Sequence, residues 1–233
     1  AQLLRLTIGR LSDIGITVLA VTSDASAHSV QMAKALGIHL DGDNTRCTFQ
    51  HPSSSSQQIA YFFDSCHLLK LIRNAFQNFQ SIQFINGTAH WQHLVELAAL
   101  EEQELPHMER IPRKLANLKN HILKTNCAAQ VFSESVVRAL ECLLSLGLPS
   151  FQNCVGTIHF LRLINNLFDI FNSRNFCGKG FKGPLLPETF NKINHVLTEA
   201  KTIFVTLSGT SNNQILKGKR KLGFLGFLLN AES

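Results

Sequence analysis

The sequence predicts an α/β unit followed by a long all-helical stretch. Two short runs, Ile16 to Thr22 and Gln58 to Phe63, have strand composition, and an aspartate closes each: Ser23-Asp24 after the first and Asp64 after the second. Helical apolar spacing follows both runs. From about Gly87 onward strand signals vanish and only helical patterns remain, which sets the expected domains at 1–86 and 87–233.

Apolar residues at Leu3, Leu4, Leu6, Ile8 and Leu11 predict a helix over Gln2 to Asp13, ended near Gly15. Ile16 to Thr22 is almost wholly apolar, as a strand covered on both faces by helices would be. His28 to Leu36 reads as a helix stopped by Gly37. Asp41 to Asn44 marks a turn and Pro52 to Ser56 a loop, with a short strand between them at Cys47 to Phe49. After the second strand, Leu68, Leu69, Ile72, Phe76 and Phe79 predict a helix over Cys66 to Phe79. The helical patterns that follow lie at Ala89 to Gln103, Leu115 to Lys124, Gln130 to Leu146, Thr157 to Arg174, Glu188 to Leu207 and Lys221 to Leu229.

With 233 residues, 45% of them hydrophobic, the chain can bury a sizeable core. Ala1 stands inside an apolar, helix-like run and Asn230-Ala231-Glu232-Ser233 follows another, so the sequence reads as a fragment of a longer protein. The formal charge of +6 suits a phosphate-bearing partner, although the 22 basic residues are spread out, with one dense run at Lys217 to Lys221. That run reads as a DNA-backbone contact or as a solvated helix start. Six cysteines without C-x-x-C spacing read as reduced, buried thiols of an intracellular protein. No apolar run approaches the roughly 20 residues of a membrane span, so no membrane partner is expected.

Asp24 stands where an apolar strand meets a loop, a position at which α/β sheets place ligands and catalytic groups; its plainer role is to cap the next helix through Ser23-Asp24-Ala25-Ser26. Asp64-Ser65-Cys66-His67 repeats the arrangement. Its Asp and His, three positions apart, share one side of a turn entering a helix, which suits either a metal or a simple N-cap. His90 and His93 have a metal-compatible spacing but lack a partner ligand, and read as helix surface. The 17 phenylalanines recur among leucines at helical spacing, which makes them core rather than base-stacking platforms.

The segment Ile16 to Asp24 together with Asp64-Ser65-Cys66-His67-Leu68-Leu69-Lys70-Leu71-Ile72-Arg73-Asn74 resembles the catalytic core of P-element-type DNA transposases. Phe160 to Asn175, then Gly178-Lys179-Gly180-Phe181-Lys182-Gly183-Pro184-Leu185, then Leu222 to Phe227, resembles that family's GTP-binding insertion domain. The resemblance implies a partial ribonuclease-H-like core over 1–86 followed by an all-α insertion domain over 87–233. It implies Mg²⁺-dependent DDE strand cleavage and transfer, with Asp24 as the catalytic and metal-holding carboxylate matched here. Asp64 and His67 are then active-site support. The other two carboxylates lie outside the chain, so the fragment alone is expected to be inactive.

The resemblance also implies GTP as a cofactor. No G-x-x-x-x-G-K-[ST] is present, and Asn191-Lys192-Ile193-Asn194 is discounted as a guanine reader because it sits inside a helical pattern. Asp169 is the stronger candidate, since a carboxylate accepts both guanine N1–H and the exocyclic amine. Asn165, Asn172 and Ser173 lie at i−4, i+3 and i+4 from it on one polar helical face, which otherwise reads as an ordinary solvated face. Lys179 and Lys182, in the glycine-rich loop, reach phosphates or face solvent. Expected partners are transposon-end and target DNA, GTP and, at full length, further copies of the chain; the expected location is the nucleus. The alternatives are a domesticated, non-catalytic DNA- or GTP-binding protein and a helical interaction scaffold that binds no nucleotide.

Overall fold

The computed structural model describes residues 1–39, 45–104, 125–209 and 214–233, side chains within 101–127 excepted. In chain order the elements are α1 (Gln2–Asp13), β1 (Ala20–Ser23), α2 (Ala27–Leu36), β2 (Thr48–Gln50), β3 (Gln58–Phe63), α3 (Ser65–Phe79), β4 (Ser81–Phe84), β5 (Gly87–His90), α4 (Gln92–Glu104), α5 (Thr125–Val131), α6 (Glu134–Ser145), α7 (Val155–Phe171), α8 (Pro187–Thr206), β6 (Ser208–Gly209) and α9 (Leu222–Glu232). They form two compact units. The first joins Ala1–Leu68 to Leu222–Ser233, and the second is Leu69–Lys221.

The first unit is built on a three-stranded sheet of order β1-β3-β2, with β1 parallel and β2 antiparallel to β3. Ile59, Tyr61 and Phe63 alternate inward along β3 and are fully buried, the period-two pattern of a half-buried strand. The run expected to be covered on both faces behaves differently. β1 starts only at Ala20, lies at the sheet edge and alternates exposed with half-buried residues, while Leu19 and Ile16 remain 70% and 50% exposed. Its apolar composition exceeds what a single neighbouring strand covers. Helix α2 begins at Ser26, whose side chain accepts the Ser29 N–H at 3.3 Å, and ends at Gly37, whose φ of 92° is the left-handed cap that glycine adopts without strain. Ile8 anchors α1, and the Arg5 guanidinium lies 5.9 Å from the centre of the Phe49 ring.

Helix α9 completes this unit, although the sequence places its apolar run with the helical stretch. Gly226 approaches Leu68 so closely that an added Cβ would meet Leu68 Cδ2 at 2.3 Å, which explains the glycine. Asn230 forms two bonds with the Phe63 backbone, accepting from its N–H at 2.9 Å and donating to its carbonyl at 2.8 Å.

β5 and β6 of the second unit lie in the stretch from Gly87 onward where only helices were expected. β4, β5 and β6 form an antiparallel sheet of order β5-β4-β6, and Phe84 pairs with Gly87 across a two-residue turn. Gly87 has φ 148°, which excludes most other residues there. The predicted helix at Ala89 therefore begins at Gln92 instead. Helix α7 crosses this sheet, and Gly156 makes the approach: a Cβ there would meet the Thr88 carbonyl oxygen at 2.3 Å. Phe160, Leu163, Ile164 and Leu167 of α7 are buried. Phe76, Trp91 and Phe132 gather around them, with the Phe76 ring 5.2 Å from Phe160. The core reading of the phenylalanines holds for most of the described ones, while Phe176 and Phe190 are exposed. Ser133 interrupts the expected Gln130 to Leu146 helix by capping α6, accepting the Val136 N–H at 3.5 Å. The predicted turn at Asp41 to Asn44 and helix at Leu115 to Lys124 lie outside the described residues.

Two smaller expectations change. His90 ends β5 half-buried and His93 is buried, so neither lies on a helix surface; His93 Nδ1 is 2.7 Å from the fully buried Thr157 hydroxyl. Desolvation and the neighbouring His90 push the His93 pKa down. Among the cysteines with described side chains only Cys154 is buried, and Cys142 and Cys177 are exposed.

Candidate functional site

Each unit carries one candidate site. In the first, the register pairs Ser23 with Phe63, so Asp24 and Asp64 follow at equivalent positions on adjacent parallel strands, whose spacing is about 4.8 Å. The Asp64 N–H donates to the Ser23 carbonyl at 2.7 Å and fixes this edge. Asp24 is exposed, and its Oδ1 accepts from the Ser29 hydroxyl at 2.5 Å and the Ser26 N–H at 3.3 Å. These bonds, with a smaller contribution from the His67 charge, hold the Asp24 pKa below the usual carboxylate value. Both of these bonds fall on Oδ1.

Asp64 caps α3: its Oδ2 accepts the His67 main-chain N–H at 2.8 Å. The plain capping role is therefore realised. Tyr61, which the sequence reading did not single out, supports the same edge. Its hydroxyl lies 2.6 Å from Ser23 Oγ and 3.4 Å from the Ser29 carbonyl, bracing both neighbours of Asp24. Burial raises its pKa, so it stays a neutral hydrogen-bonding phenol. Its signal was its rarity, the single tyrosine of the chain set within a strand. No group of three or more His, Cys, Asp or Glu that could hold a metal occurs among the described residues. Asp24 supplies one hard oxygen ligand of the kind Mg²⁺ takes.

In the second unit, α7 and the loop after it bring together most of the residues expected to bind nucleotide. Asp169 Oδ2 accepts from Asn165 Nδ2 at 3.3 Å, and its Oδ1 lies 3.7 Å from Lys182 Nζ. The Asp169 side chain is only 16% exposed, and this desolvation raises its pKa against the opposing pull of Lys182 and Asn165. The Ser173 hydroxyl reaches the loop, with the Lys182 and Gly183 carbonyls at 2.7 and 3.0 Å. A Cβ on Gly178 would meet the Lys182 carbonyl oxygen at 2.2 Å, so the loop closes only over glycine. Asn172 ends α7 as its C-cap, and Lys179 is exposed on the loop without being drawn to Asp169. Lys192, within α8, lies 4.7 Å from the centre of the Phe181 ring and steadies the loop from that side. The Asn191 to Asn194 echo is thus helical, as its pattern indicated.

The described residues thus form an α/β unit with carboxylates at its strand ends and a helix-rich unit with a polar helix face beside a glycine-rich loop. Against known proteins, residues 66–184 match the family of the TNP-like, GTP-binding insertion domain. The chain is 86% identical over all its 233 residues to the DNA transposase THAP9 of Homo sapiens, covering 26% of that protein. It is 29% identical over 163 residues, 69% of the chain, to the Transposable element P transposase of Drosophila melanogaster, covering 21% of it. The chain thus spans about a quarter of the length of the curated relatives it matches. Its fold matches the Drosophila P element transposase strand transfer complex with a TM-score of 0.81 at 24% identity, over 98% of this chain and 50% of that one. The chain belongs to the P-element-type transposase family and carries its TNP-like, GTP-binding insertion domain. Among the described residues no helix is long and apolar enough to cross a membrane.

Proposed function

We propose that this chain is the part of a DNA transposase that contributes one DDE carboxylate, Asp24, and a guanine-nucleotide site on α7. The first unit belongs to a ribonuclease-H-like core and the second to the insertion domain. The observation that carries the catalytic reading is the register at the end of β1 and β3, which sets two carboxylates side by side at the carboxyl edge of a parallel strand pair. Asp24 would hold Mg²⁺, which when bound stabilises the attacking and leaving oxygens of a phosphodiester displacement. Ser26 and Ser29 keep the Asp24 carboxylate ionised and turned, Tyr61 holds Ser23 and Ser29, and Asp64 fixes the start of α3. The remaining ligands come from the rest of the transposase, so this chain alone is inactive. The full protein works in the nucleus, on transposon-end and target DNA, as an assembly of several copies.

For the nucleotide, Asp169 reads the guanine edge, Asn165 orients it, and Lys182 and Lys179 meet the phosphates. Asn172 and Ser173 close the site, Ser173 by holding the loop. Calorimetric titration of the chain with GTP and then ATP in Mg²⁺ tests this. Selective GTP binding is expected, and equal binding of both nucleotides would remove Asp169 as the base reader.

A further inference from the structure

Along β3, the ladder to β2 runs from Gln50↔Gln58 to Thr48↔Ala60, with one more bond from the Tyr61 N–H to the Cys47 carbonyl. Beyond it β2 gives no partner, yet Phe63 is buried and still presents a backbone donor and acceptor on that side. Left unpaired, each would carry a desolvation cost. The Asn230 carboxamide, itself 4% exposed, takes both at 2.9 and 2.8 Å, as a residue of a neighbouring strand would. Ser233 continues the seam by donating its hydroxyl to the Tyr61 carbonyl at 3.1 Å. Phe63 immediately precedes Asp64, whose N–H holds Ser23, the residue before Asp24.

We infer that Asn230 is a positioning residue for the strand-end site, fixing through Phe63 the edge on which Asp64 and Asp24 stand. Neither neighbour on α9 can substitute, because the paired donor and acceptor are a property of the carboxamide. This inference rests on the reading of Asp24 as a catalytic carboxylate.

The test compares Asn230→Leu with Leu229→Ala, a change at a fully buried α9 residue outside the seam. In this chain, amide exchange followed by NMR should quicken about tenfold or more at Phe63 and Asp64 in Asn230→Leu, relative to Leu229→Ala compared at equal global stability. Human THAP9 carrying this chain in place of its own segment supplies the kinetic readout. There Asn230→Leu should lower kcat for strand transfer roughly 10- to 100-fold with KM for transposon-end DNA unchanged, whereas Leu229→Ala should alter only the amount of folded enzyme. If Asn230→Leu does not fold, Asn230→Asp serves, since it keeps the acceptor for the Phe63 N–H and loses the donor to its carbonyl. Exchange no faster than in Leu229→Ala, or an unchanged kcat per folded molecule, overturns the inference. Asp24→Ala in the same chimera separates the two failures: retained transfer removes the catalytic reading, and abolished transfer with an unaffected Asn230→Leu removes Asn230 alone.

Discussion

Asp24 and Asp169 are the same side chain placed under opposite physical regimes. Asp24 is exposed and collects two short-range donors, so its ionised form is favoured. Asp169 is largely covered, so desolvation opposes its ionised form, and the nearby Lys182 offsets that opposition only in part. An exposed, donor-rich carboxylate suits a hydrated cation that arrives with its own charge. A covered carboxylate with a nearby ammonium suits a neutral ligand edge that brings two N–H donors, because those donors replace solvent that burial has removed.

The largest effect should come from the first site. Asp24→Ala in the THAP9 chimera is expected to abolish strand transfer while this chain still folds, with only a small fall in its unfolding temperature from loss of the Ser26 and Ser29 bonds. Transfer at the original rate would break the contrast by leaving Asp24 as a helix cap alone. At the second site, Asp169→Asn should cost GTP roughly 10- to 100-fold in affinity, the range of a hydrogen bond to a charged group, and move preference toward xanthosine triphosphate. Titration calorimetry reads both, and an unchanged preference would detach the base from α7.

A third effect concerns the scaffold under the second site. Gly156→Ala should destabilise the chain by about 1–3 kcal/mol in urea unfolding, since the new methyl meets Thr88 backbone that has no flexible end to yield. Native-like stability would show that α7 can slide on β5. The smallest effects sharpen the pKa contrast. Removing the hydroxyl with Ser29→Ala should raise the Asp24 pKa back toward its ordinary value, and Lys182→Met should raise that of Asp169 further, both followed by NMR titration of the carboxyl carbons. The signs for stability are opposite. The lowered Asp24 pKa gives a contribution present above its unfolded value of 3.8 and lost as pH falls through the folded value. The raised Asp169 pKa gives a contribution present at low pH and lost as pH rises from 3.8 through its folded value.

Helices α2 and α7 were readable for different reasons: Ser26 and Gly37 cap α2, and Phe160, Leu163 and Leu167 give α7 a buried stripe. The β4–β5 hairpin was missed although Asn86-Gly87 is a strong turn dipeptide, because Ala89 to Gln103 fits a helical period equally well over most of its length. Placement of α9 was not legible for a different reason. Its apolar residues surround the whole helix, so the pattern says that it is buried but not against what. Among the candidate site residues, Asp24, Asp64 and Asp169 were visible as strand-end or helix-face polar groups in apolar surroundings, and Lys182 as a lysine of the glycine-rich loop. Tyr61 and Asn230 were not, since each works through a backbone or hydroxyl contact that only the tertiary arrangement creates.

The seam between Phe63 and Asn230 joins residues 167 positions apart. During synthesis β3 emerges long before its last partner, and at about 5–20 residues per second that interval lasts roughly ten to thirty seconds. The second unit, whose contacts lie within Leu69–Lys221, is complete before the first can close. The order of assembly is therefore inside out: the inserted piece matures first, and the carboxylate edge takes its final shape only when the chain returns as α9.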